Sequence, residues 1–213
     1  LFWIVTMREG FALILSAPSG TGKTTTCKVL LERLPNLKIA VSHTTRSIRE
    51  GEKDGTDYLF TSTEKFEEKI KNNDFLEWAK VHTSYYGTSL KSIETPKKKG
   101  NDILIELDVQ GVESLRKMKY EGIYILILPP SITEMEARLR KRGTNSEESI
   151  KQRIETGKQE IKQYKMYDYV ITNDVIEDTV NSILSILYAE KVKSAYYRPS
   201  SPDIEALFND EVD

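Results

Sequence analysis

Eight residues, Ala17-Pro18-Ser19-Gly20-Thr21-Gly22-Lys23-Thr24, stand between an apolar run from Phe11 to Leu15 and a helix-forming stretch from Thr25 to Leu31. Few features restrict a fold more, because such a loop must leave a buried strand and open a helix. Successive backbone N–H groups of the loop can face one anionic group, and the helix N-terminus adds partial positive charge. The pattern therefore reads as a phosphate cradle. Lys23 is placed to reach the β- and γ-phosphates of a nucleoside triphosphate and to serve catalysis, while the Thr24 hydroxyl takes one Mg²⁺ position. Ala17 stands where glycine is usual, which alanine tolerates when φ is negative. Residues 17–24, with Thr25 following, form the expected ATP-binding segment. The bland alternative is a Gly/Ser-rich turn ahead of a helix, and the strand, loop and helix in register argue against it.

With 213 residues the chain can bury one substantial core, so a single domain with mobile lobes is expected. Charged residues make up 30% at a formal net charge of −2, which argues against nucleic-acid binding by global electrostatics. The single cysteine, Cys27, excludes an internal disulfide and suits a reducing cytoplasm. His43 and His82 lie far apart without cysteine neighbours, which leaves no zinc-site spacing. No apolar run approaches the roughly 20 residues of a membrane span, so a soluble protein without a membrane partner is expected. Residues 1–7 are set apart as an extension, with a non-native origin and a short extra strand both open.

Strand-like and helix-like segments alternate, the pattern of a parallel sheet covered by helices. Strands are expected at 11–16, 37–42, 57–61, 75–81, 102–108, 123–128 and 169–172. Helices are expected after the loop and at 64–72, 90–98, 112–119, 147–165 and 179–192. Ser131-Ile132-Thr133-Glu134 forms a capping box opening another helix, which Gly143 ends. Residues 196–213 read as an acidic flexible tail with a short helix at 204–208.

A second constellation bears on the reaction. Ser42 precedes Arg46 and Arg49, and Tyr58 follows. Two arginines three apart with a nearby tyrosine can converge on one dianionic phosphate, since guanidinium forks match phosphate oxygens. Downstream, Phe75-Leu76-Glu77-Trp78-Ala79 and Ser84-Tyr85-Tyr86-Gly87-Thr88 add a carboxylate, another tyrosine and a hydroxyl. Solvated surface charges and packing tyrosines are the bland readings of these residues one at a time.

Taken together with Leu107-Asp108-Val109-Gln110-Gly111 and Arg142-Gly143-Thr144, these motifs resemble the guanylate kinase family over roughly residues 10 to 190. The resemblance implies a P-loop NTPase-type α/β fold: a parallel sheet core flanked by helices, with an inserted GMP-binding lobe and a helical lid. The domain would span 8–195, with core segments 8–41, 90–130 and 166–195, the GMP lobe at 42–89 and the lid at 131–165. The implied reaction is Mg²⁺-dependent transfer of the ATP γ-phosphoryl group to GMP. Its implied partners are these two small molecules, and oligomeric state stays open between monomer and dimer. Carried over by position, Arg46, Arg49, Tyr58 and Tyr86 hold the GMP phosphate, and Ser42, Glu77, Thr88 and Asp108 contact guanine. Arg138, Arg142 and Arg153 are the implied lid arginines, catalytic together with Lys23 and Arg46, and Asn173 is the implied adenine contact. Glu106 departs from the family's usual aspartate.

Chemistry supports Glu77 independently, because guanine presents N1–H and the N2 amine as adjacent donors that one carboxylate accepts together. Two other functions compete. A catalytically silent interaction scaffold would be expected to lack Lys23 or the lid arginines, and a kinase for another acceptor would not need the guanine contacts.

Overall fold

The computed structural model describes residues 10–81, 83–141, 146–194 and 201–209. Its first half runs β1 (Ala12–Ser16), α1 (Lys23–Arg33), β2 (Leu37–Ile39), β3 (His43–Thr44), β4 (Leu59–Phe60), α2 (Thr63–Lys71), β5 (Phe75–Val81), β6 (Ser84–Ser89) and α3 (Leu90–Lys98). The second half runs β7 (Asp102–Leu107), α4 (Val109–Lys117), β8 (Ile123–Leu128), α5 (Ile132–Lys141), α6 (Glu147–Lys162), β9 (Tyr169–Thr172), α7 (Ile176–Lys191) and α8 (Pro202–Asn209).

Strand β1 is buried along its whole length, and its side chains alternate between two cores. Ala12 and Ile14 face Ile93, Val112, Leu115 and Tyr124. Leu13 and Leu15 face Cys27, Leu30, Val180, Ile183 and Leu187. Helices α3 and α4 thus cover one face of the sheet, and α1 and α7 the other. The sheet is five-stranded and parallel, in the order β2-β7-β1-β8-β9. An apolar strand run with no polar alternation is what burial on both faces produces.

The segment between β2 and α3 builds a second, mixed sheet in the order β4-β3-β6-β5. Its core is Phe66 of α2, fully buried and stacked on Phe75 at 4.4 Å and on Tyr85 at 5.2 Å between ring centroids.

Several boundaries differ from the sequence expectation for identifiable reasons. Residues 37–42 do not form one strand. The Ala40 amide makes a last bond to the Leu104 carbonyl at 2.8 Å, and the chain then crosses to pair His43 and Thr44 in the other sheet. The expected strand at 57–61 shrinks to Leu59–Phe60, while Ser84–Ser89, not expected as a strand, pairs antiparallel with β5. Helix α4 begins at Val109 because Asp108 Oδ1 accepts the Gly111 N–H at 2.8 Å and caps it there. The Ser131 cap forms, with its hydroxyl accepting the Glu134 N–H at 3.0 Å, but the Glu134 carboxylate turns to Arg138 Nε at 2.7 Å and does not close the box. Helix α6 stops at Lys162 and is continued by a 3₁₀ turn over Tyr164–Met166. The expected stop at Gly143 lies outside the described residues.

Candidate active site

The phosphate loop leaves the C-terminal end of β1 and enters α1 through two left-handed glycines, Gly20 at φ 86° and Gly22 at φ 100°. Helices α5 and α6 both pack on it: a Cβ on Gly20 would come within 3.0 Å of the Leu139 side chain, and Gly157 of α6 lies beside Pro18. Lys23 points across the sheet edge, with Nζ 3.4 Å from the Leu107 carbonyl and 3.7 Å from Glu106 Oε2. Thr24 and Thr25 are exposed on the first turn of α1. Cys27, one turn further, is buried. Burial and the neighbouring Glu106 push its thiol well above the ordinary range, which removes it as a nucleophile.

Beside Lys23 opens a cavity of about 340 Å³ lined by Ser42, Tyr58, Glu77, Tyr86, Glu106, Asp108 and neighbouring residues. At its wall a hydroxyl chain through the buried Thr88 fixes one carboxylate. Thr88 Oγ1 donates to Glu77 Oε1 at 2.7 Å and lies 3.0 Å from Ser42 Oγ. Burial, opposed by the Thr88 hydroxyl and reinforced by Asp108, raises the Glu77 pKa above the ordinary carboxylate value. Asp108 serves twice, as the α4 cap and as part of the cavity wall. Ser42 just ahead of β3, Glu77 of β5, Thr88 of β6 and Asp108 just after β7 are the four residues expected at guanine, and the fold brings them together here.

At the other end, Arg46 lies 5.4 Å from the Tyr58 ring centroid, and Tyr58 packs edge-on against Tyr86 at 6.0 Å. The sequence reading missed what holds this arginine. Glu52 grips Arg46 with two bonds, Nη1 to Oε2 at 3.0 Å and Nη2 to Oε1 at 2.8 Å, and accepts the Arg49 backbone N–H at 2.8 Å. Those two contacts hold the Glu52 carboxyl below its ordinary range, Arg46 first and the Arg49 amide second. Arg46 Nη1 also donates to the Ser47 carbonyl at 2.7 Å, and Tyr86 is a further hydrogen-bonding neighbour of the guanidinium. Glu52 lies in a loop, where no helix or strand period marks a partner six residues away. The Arg49 side chain itself is exposed.

From α5, Arg138 Nη1 donates to the Thr21 carbonyl at 3.3 Å and the Asn173 carbonyl at 3.0 Å. Arg153 Nη1 lies 3.4 Å from Ser19 Oγ, beside a cavity of about 370 Å³ shared with Ser149, Gln152, Thr156 and Glu160. Burial first and Asp108 second raise the Glu160 pKa. Glu160 is another residue the sequence reading passed over, because a charged helix face gives no sign of which carboxylate is covered. Arg142 lies outside the described residues. Asn173, expected at adenine, is 1% exposed, with its side-chain amide turned to Thr21 and Thr179 behind the loop.

The family model described as guanylate kinase matches residues 9–190. The chain belongs to the guanylate kinase family. A guanylate kinase of Clostridium tetani is 46% identical over 187 residues, covering 88% of this chain and 89% of the relative. That of Carboxydothermus hydrogenoformans is 44% identical over 187 residues, covering 88% and 92%. The crystal structure of guanylate kinase from Anaplasma phagocytophilum superposes with a TM-score of 0.73 at 34% identity, covering 94% of this chain and 96% of that one. The α/β architecture expected of a guanylate kinase is the one observed, with the parallel core intact and the second sheet inserted after β2. A scaffold would be expected to lack Lys23 or arginines such as Arg153; both are present and both lie at the phosphate loop.

Proposed function

We propose that this chain transfers the γ-phosphoryl group of ATP to GMP, giving ADP and GDP. The observation that carries the reading is Glu77, fixed by the buried Thr88 hydroxyl and lining the same cavity as Ser42, Lys23 and Asp108. A fixed carboxylate accepts guanine N1–H and the N2 amine together, whereas adenine would leave that acceptor unmatched, a discrimination that can reach about 10⁴-fold. Arg46, Arg49, Tyr58 and Tyr86 hold the GMP phosphate, and residues 17–25 hold the ATP phosphates.

A GMP phosphate oxygen forms the new bond to the γ-phosphorus while the bond to the β–γ bridging oxygen breaks, its electron pair leaving with ADP. The acceptor is already ionised near neutral pH, so no general base is needed and the protein supplies position and charge. Lys23 and the lid arginines Arg138, Arg142 and Arg153 neutralise the equatorial oxygens and exclude water.

Mg²⁺ fits the donor set. Among the described residues no group of three or more carboxylate, imidazole or thiol side chains forms a cage, and Mg²⁺ characteristically binds through one or two protein groups plus substrate phosphates and water. The exposed Thr24 hydroxyl would hold it, and it would supply charge neutralisation at the phosphates. No helix among the described residues is long and apolar enough to cross a membrane, and the lone buried Cys27 supports work in a reducing cytoplasm.

ADP formation from MgATP with GMP, AMP, CMP, UMP and dTMP as separate acceptors tests the reading. Turnover with GMP alone is expected. Equal turnover with AMP, or none with any acceptor while ATP still binds, would overturn it.

A further inference from the structure

The side-chain amide of Asn173 is enclosed between the phosphate loop and α7. Its Nδ2 donates to the Thr21 carbonyl at 2.6 Å, and the Thr179 hydroxyl lies 2.9 Å from its Oδ1. Its own N–H is pinned to the Leu128 carbonyl at 2.7 Å. A carbonyl can only accept, so the Thr21 contact dictates which end of the amide is nitrogen. The loop is shaped around this group: a Cβ on Gly22 would lie 2.6 Å from Nδ2. A residue reading a base must present a polar atom at an accessible surface, and Asn173 is 1% exposed with its amide turned into the protein at both ends.

We propose that Asn173 is a positioning residue for the phosphate loop, acting on ATP through the Thr21–Gly22 peptide and not through adenine. A planar trans peptide directs its C=O and N–H in opposite senses. Holding the Thr21 carbonyl toward Asn173 and Arg138 therefore turns the Gly22 N–H away from them, onto the side where the loop receives phosphate. Thr179 sets the amide, the amide sets the peptide, and Arg138 of α5 joins the same carbonyl, so the lid closes onto a loop that is already oriented. The inference rests on residues 17–25 being the ATP site.

The test measures Kd for MgATP, for inorganic tripolyphosphate with Mg²⁺, and for GMP, in the unmodified chain and in Asn173→Asp, Thr179→Val and Thr179→Ser. In Asn173→Asp an oxygen faces the Thr21 carbonyl, and loss of a buried hydrogen bond to an unsatisfied partner predicts about tenfold weaker binding. ATP and tripolyphosphate should weaken by the same factor, with GMP affinity unchanged. Thr179→Val should show the same pattern more weakly, and Thr179→Ser, which keeps the hydroxyl, should restore binding. Thr179→Val carries the test if Asn173→Asp does not fold. Weaker ATP binding with unchanged tripolyphosphate binding would place Asn173 at the base and overturn the proposal, as would unchanged binding of both. A parallel loss of GMP affinity would make the effect a general structural one and also overturn it. Failure of the unmodified chain to bind either phosphate ligand would instead remove the assignment of the loop.

Discussion

Replacing Glu77 by glutamine changes almost no volume and removes one acceptor oxygen. In the structure Thr88 already donates to Oε1 at 2.7 Å, and the Ser42 hydroxyl steadies Thr88 from 3.0 Å, so the side chain cannot turn freely to suit a new partner. Glutamine would keep its oxygen on Thr88 and present an NH₂ where guanine also offers donors. One or two hydrogen bonds to a charged acceptor are lost, each about 1.5–3 kcal/mol, and a donor–donor contact is added. A total of about 2–5 kcal/mol corresponds to roughly 30-fold to several-thousand-fold weaker GMP binding. Calorimetric titration with GMP reads occupancy of this cavity directly. The assay pairs that titration with kcat/KM for GMP and a separate ATP titration. GMP affinity should collapse while ATP affinity stays within about twofold, because Glu77 is not part of the phosphate loop. Unchanged GMP binding, or an equal loss for ATP, would refute the guanine assignment of this carboxylate.

Two further outcomes can be checked with the same reagents. Glu77 has a pKa raised in the fold, chiefly by burial, so its ionised form costs stability above its unfolded value, and that cost is relieved as pH falls through the folded value. GMP binding has the opposite sign, since protonation removes an acceptor. Affinity should drop as pH falls through the raised folded value, at a higher pH than an ordinary carboxylate would give, and the difference between the parent and Glu77→Gln isolates this component from titration of the GMP phosphate. Lys23→Ala should lower turnover on the order of 10²-fold or more with the melting temperature nearly unchanged, since it removes a preorganised charge; full turnover in that variant would refute the loop mechanism.

Much of the core was legible because its signals are local. β5, α3, β8 and β9 appear at their expected residues, each set by an apolar period or by a cap a few positions away. Errors gathered where a distant segment decides. Ser84–Ser89, polar and carrying a glycine, becomes a strand because β5 offers an edge to pair with. Beyond Ala40 the chain leaves the central sheet because β3 is claimed by β6 and β4.

The site divides in the same way. The phosphate loop announces itself in eight consecutive residues, since strand, glycines, lysine and helix all act on one short stretch of backbone. The Glu77 carboxylate could be proposed for guanine from its chemistry, but its support by Thr88 exists only once β5 and β6 pair, and the Ser42 hydroxyl, 46 positions from Thr88, joins only once β3 pairs with β6. Glu52 and Asn173 go further. One carboxylate among many becomes the grip on Arg46, and an asparagine 152 residues from Thr21 becomes its partner. A sequence records which donors and acceptors are available and the periods that bury them. Which of them meet is decided by packing, because a buried polar group must take whatever partner the fold brings within about 3 Å.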